Sequence, residues 1–103
     1  MININFFREN GLLKGFNITG HAGYDEYGKD IVCSAVTSSI MLSINTITEF
    51  FKIPAKVDIE ENKITLDSKR LSDFQSQNLN IILSSLKKHL ELINEDYNRL
   101  NIS

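Results

Sequence analysis

The chain has 103 residues, 42% of them apolar and 23% charged, with a net charge of −2. That length suits one domain with one modest core, and the slightly negative balance excludes bulk attraction to nucleic acid. A single cysteine cannot form an internal disulfide, so nothing points to a stapled, secreted fold.

In chain order, Ile2, Ile4 and Phe6 alternate with Asn3 and Asn5, the period of a half-buried strand rather than an apolar leader. Asn10-Gly11 is a strong hairpin-turn signal, and Leu12, Phe16 and Ile18 continue the alternation to Thr19. Gly15 inside this second strand marks a bulge or a close backbone approach. Residues 20–29 then read as a glycine-containing loop, expected to be mobile without ligand and to end at Asp30 as a helix cap. Val32, Val36, Ile40, Ile44, Ile47 and Phe51 recur at spacings of three or four and predict a helix to about residue 51, stopped before Pro54.

Val57 and Ile59, then Ile64 and Leu66, alternate with charged residues on either side of Glu61-Asn62, predicting a second hairpin. Ser72 and Gln75 match a capping box. They open a stripe of Leu79, Ile82, Leu83, Leu86, Leu90, Ile93, Tyr97 and Leu100, a second long helix. The predicted order is strand-strand-helix-strand-strand-helix: an α+β domain with a small, mainly antiparallel sheet and two long helices. With one proline and no repeat, residues 1–103 form a single domain. No uninterrupted apolar run reaches the length of a bilayer span, so the expected location is the cytoplasm, without membrane contact. Basic pairs such as Lys69-Arg70 and Lys87-Lys88 make no patch, so direct nucleic-acid binding is not expected.

The chemistry-bearing residues gather between Gly20 and Thr37. With Asp30 as cap, Cys33 falls in the first helical turn, where unpaired amides and the helix dipole favour a thiolate. An ordinary thiol titrates near about 8.5 and is mostly protonated at neutral pH. His21 lies within reach as a base across the intervening loop, each extended residue covering about 3.3 Å. A lone cysteine is also a common buried packing residue, a lone loop histidine is often merely solvated, and His89 reads as a solvated helix-face residue. One cysteine and two separated histidines cannot complete a closed zinc shell, and the glycine spacing fits no phosphate-binding loop, so neither metal nor cofactor is expected.

Gly20-His21-Ala22, a Tyr/Gly-containing loop and Asp30-Ile31-Val32-Cys33-Ser34-Ala35-Val36-Thr37 together resemble the signature of the ribosomal-processing cysteine protease family (Prp). Ser34 stands where relatives often carry alanine, and Thr37 where serine is common. The resemblance implies a cysteine endopeptidase with Cys33 as nucleophile and His21 as general base, and it matches Asp30 and Gly20 to family positions. It further implies that the substrate is the N-terminal extension of the large-subunit ribosomal protein twenty-seven precursor, removed during bacterial ribosome assembly, and that the enzyme is a homodimer. Two alternatives come from other classes: a non-catalytic ribosome-associated interaction module, and a redox-sensing thiol protein. Only the enzyme needs both His21 and Cys33.

Overall fold

The computed structural model describes residues 1–20 and 27–103. The first strand, β1, is Ile2–Glu9 and the second, β2, is Leu12–Thr19. Asn10 and Gly11 join them with φ of 54° and 80°, the two left-handed residues that a tight hairpin of this twist requires. The pairing slips between Phe7 and Arg8: Phe7 opposes Gly15 while Arg8 opposes Leu13, leaving Lys14 unmatched as a bulge. The buried Ser68 hydroxyl donates to the Lys14 carbonyl at 2.7 Å, so the bulge keeps its hydrogen bond. Gly15 is also a close approach. A Cβ there would stand 2.3 Å from the Leu66 carbonyl oxygen.

The first helix, α1, runs Tyr27–Asn45, and a π-helical turn, Thr46–Phe50, continues it. Val32, Val36, Ile40, Ile44 and Ile47 are buried as the stripe predicted. Phe51 is not; it is 49% exposed. The π turn explains this, because the Phe51 amide donates to the Thr46 carbonyl five residues back and the angular step of the stripe changes there. The hydroxyls of Ser39, Ser43, Thr46 and Thr48 each donate to the carbonyl four residues earlier, which loosens helical pairing along this segment. The segment Ile31–Phe50 is long and apolar enough to cross a bilayer, contrary to the sequence expectation. Its Val/Ile stripe is, however, a large part of the core of this fold.

The second hairpin is β3, Lys56–Glu60, and β4, Lys63–Asp67. The second helix, α2, is Asp73–Tyr97, and both halves of its capping box are present: Gln75 N–H to Ser72 Oγ at 3.1 Å and Ser72 N–H to Gln75 Oε1 at 3.0 Å. Leu79, Leu83, Leu86, Leu90 and Ile93 are buried. The helix stops at Asn98, which adopts φ 51°, so Leu100 is not helical. It begins a short fifth strand, β5, Leu100–Ile102, parallel to β1. The α+β class and its mainly antiparallel sheet hold, with this one strand added.

The sheet order is β3-β4-β2-β1-β5. Its registers pair Ile2 with Leu100, Ile4 with Ile18 and Phe16 with Leu66, so the buried strand positions share one face. That face and the stripes of α1 and α2 form one core. The opposite face is polar at its middle, with Lys63 and Asp67 adding charge along β4. There the Asn17 side chain donates to Thr65, that of Asn101 donates to Asn3, and the Ser103 hydroxyl meets the Asn5 side-chain oxygen.

Candidate active site

β2 delivers the chain to Gly20, which takes φ +73°. A Cβ at this position would lie 3.0 Å from the Met1 carbonyl oxygen, so glycine is favoured twice, by conformation and by contact. The Gly20 amide donates to the Asn62 carbonyl at 3.1 Å, tying the end of β2 to the turn between β3 and β4. His21 and the loop after it, residues 21–26, lie outside the described residues. The expected loop extends no further, since Tyr27, Gly28 and Lys29 are helical.

That start corrects the assignment of Asp30 as helix cap. α1 begins at Tyr27, four residues before the expected first helical residue, so Asp30 is its fourth residue and Cys33 its seventh, in the second turn rather than the first. Apolar periodicity begins where a helix meets the core, and a polar leading turn can precede it. By helical register Asp30, Cys33 and Thr37 fall at i, i+3 and i+7, along one face.

Cys33 is half-buried and packs against the core cluster. It opens into a cavity of about 460 Å³ that Val36 and Thr37 continue along α1 and that Gly20 borders at the end of β2. Its far wall is the β3–β4 turn, from Ile59 through Ile64, and Ile2 and Ile18 form the sheet side. Glu60, Glu61 and Lys63 put charge on the rim. The structure therefore brings Cys33, Thr37 and Gly20 to one cavity. Sequence reasoning missed the wall. Nothing local marks Ile59 or Asn62 as part of a site, because only the non-local pairing of β4 with β2 carries them there. Among the described residues no group of three or more His, Cys, Asp or Glu side chains gathers to hold a metal ion.

A thiol at the mouth of a partly apolar, peptide-sized cavity suits nucleophilic chemistry on an extended chain. A sequence profile of the family described as cysteine protease Prp matches residues 1–102. The chain belongs to the cysteine protease family Prp. It is 29% identical over 85 residues to the ribosomal processing cysteine protease Prp of Staphylococcus aureus (strain Mu50), covering 80% of this chain and 79% of the relative. It is 33% identical over 54 residues to the Bacillus subtilis (strain 168) protein of the same name, a match that spans 52% of this chain and 47% of that one. Among solved structures, a Streptococcus mutans protein superposes with a TM-score of 0.85 at 24% identity, over 99% of this chain and 93% of that one, which speaks for the fold. The Staphylococcus aureus Prp in complex with a substrate peptide superposes with a TM-score of 0.82 at 25% identity, over the whole of both chains. The same Prp with a covalently linked product peptide gives 0.80 at 26%, again over both whole chains.

Proposed function

We propose that this Prp member is a cysteine endopeptidase that removes the N-terminal extension of the ribosomal protein twenty-seven precursor during ribosome assembly in the bacterial cytoplasm. The observation that carries the reading is the chain's one thiol, half-buried at a cavity walled by the β3–β4 turn. The naming of its relatives as ribosomal processing proteases supports it, as does the covalently linked product peptide in the Staphylococcus aureus structure. In this mechanism the Cys33 sulfur attacks the scissile carbonyl as His21 accepts the thiol proton. His21 returns that proton to the leaving amine, and water then hydrolyses the thioester, restoring the thiol. Gly20 sets the exit of β2 immediately before His21, and Asp30 and Thr37 flank Cys33 along α1. The chemistry calls on no cofactor or metal.

The test is incubation of the purified protein with a synthetic precursor peptide and mass analysis of the products, beside Cys33→Ala. The parent should release the extension; Cys33→Ala should stay folded, bind the peptide and leave it whole. Comparable cleavage by the variant removes Cys33 as nucleophile. In the same reading two copies pair. The partly apolar groove between α1 and α2, where Leu42 and Ile81 stand 69% and 65% exposed, supports that assembly. Sedimentation velocity checks it, and a monomer at every concentration counts against it.

A further inference from the structure

The strand registers line up one residue type across the whole sheet: Ile59 opposes Ile64, Ile64 opposes Ile18, Ile18 opposes Ile4, and Ile4 opposes Ile102. All five lie on the helix-bearing face. In the middle of the row the helices cover it, leaving Ile4 fully buried and Ile18 at 7% exposure. At the β3 end they do not, and Ile59 is 58% exposed. The row thus ends in an uncovered apolar corner, and that corner is the far wall of the cavity into which Cys33 opens.

Two further features make the corner a formed pocket rather than a frayed edge. Val57, which shares the Ile59 face of β3, still packs against the core, so the strand is seated. The turn beyond Ile59 is held by the Gly20 amide through the Asn62 carbonyl, which fixes the wall relative to the strand that leads to His21. An apolar recess across one cavity from a nucleophile fits an apolar side chain of the chain being cut.

We propose that Ile59 is a specificity-determining residue of this protease, closing a subsite that takes one bulky apolar side chain next to the scissile bond. The proposal rests on the peptidase reading above. Ile59 touches substrate without touching the reacting atoms, so its loss acts on peptide selection and leaves the thiol as reactive as before.

The experiment is a cycle between protein and peptide. Precursor peptides in which each apolar residue flanking the cut is replaced in turn by alanine are cleaved by the parent, by Ile59→Ala and by Ile59→Val. One replacement should lower the parent's kcat/KM by about tenfold or more, the scale of a lost apolar contact in a pocket. Ile59→Ala should show the same loss on the unmodified peptide and no further loss on that replacement, while Ile59→Val keeps most of the preference. Iodoacetamide alkylation of Cys33 should run at the parent rate in all three. Additive losses at every position, or an equal slowing on all peptides, overturn the proposal. If the parent cuts none of them, the peptidase reading fails on that result alone. The subsite is then decided by the same cycle read as fluorescence anisotropy of labelled peptides on Cys33→Ala. Equal binding with and without Ile59 means that the corner is filled by the chain itself, and the proposal falls.

Discussion

Replacing Gly20 by alanine tests how the fold fixes the residue that precedes His21. Gly20 has φ +73°, and its missing Cβ would meet the Met1 carbonyl oxygen at 3.0 Å. A left-handed alanine costs about 1–2 kcal/mol from its own geometry. The contact adds less, because Met1 is exposed and lies outside β1, so it can shift. At roughly 4–8 °C per kcal/mol for a domain of this size, Gly20→Ala should melt roughly 5–15 °C below the parent. Gly11→Ala is the control, since Gly11 has φ +80° with nothing within 4 Å of its would-be Cβ. It isolates the conformational cost, and any excess in Gly20→Ala measures the Met1 contact. The two should part on activity. Only Gly20 holds the Asn62 carbonyl, so Gly20→Ala should lose kcat/KM well below its melting temperature while Gly11→Ala keeps it. Calorimetry and peptide cleavage at one low temperature read both effects. Both variants melting with the parent would refute the conformational argument; equal activities would refute the link from Gly20 to the site.

Gly15→Ala should be worse than Gly11→Ala, by about 1–3 kcal/mol or more in urea unfolding, because its Cβ would stand 2.3 Å from a backbone oxygen in the middle of the sheet. The Lys87 ammonium, 2.9 Å from Glu91, holds that carboxyl below its ordinary range by a direct hydrogen bond. The lowered value means the pair stabilises the fold above the ordinary carboxylate range and stops doing so as pH falls through the lowered value. The pair is partly exposed and lies at i and i+4 on one helix, so Glu91→Gln should cost only about 0.3–0.5 kcal/mol at neutral pH and nothing in strong acid, as thermal melts across pH will show. His21→Ala should abolish peptide cleavage and slow Cys33 alkylation at neutral pH; parent-like alkylation would leave His21 without a role in activating the thiol.

Much of the fold was legible because its strongest signals are local. Asn10-Gly11 sets a turn through its own backbone angles, and Ser72 with Gln75 caps α2 within one turn. The fifth strand was not legible. Leu100 continues the spacing of the α2 stripe, and what removes it from the helix is the left-handed Asn98 followed by pairing with β1 at the far end of the chain. The beginning of α1 was misplaced for a related reason, since Val32 opens the apolar stripe and carries no information about the turn before it. The thiol could be singled out in the sequence as the chain's one cysteine beside a helix start. Its surroundings could not, because Ile59 and Asn62 come to it only through the order of strands.

The earlier start of α1 changes what can activate the thiol. Helix-dipole stabilisation falls off after the first turn, and Cys33 sits in the second. At the seventh helical position its own amide belongs to the intrahelical ladder and is not one of the four unpaired donors at the N-terminus. The Gly20 amide on the other side of the cavity is also committed, to Asn62. Neither of these backbone groups is therefore a ready donor for a thiolate or for the oxyanion that follows its attack. In the proposed mechanism activation therefore falls to side chains, and Thr37 places a hydroxyl one turn past Cys33 at the same cavity. α1 serves to place the sulfur at the cavity, and in the proposed mechanism the base assigned to His21 must supply the activation that the end of the helix does not.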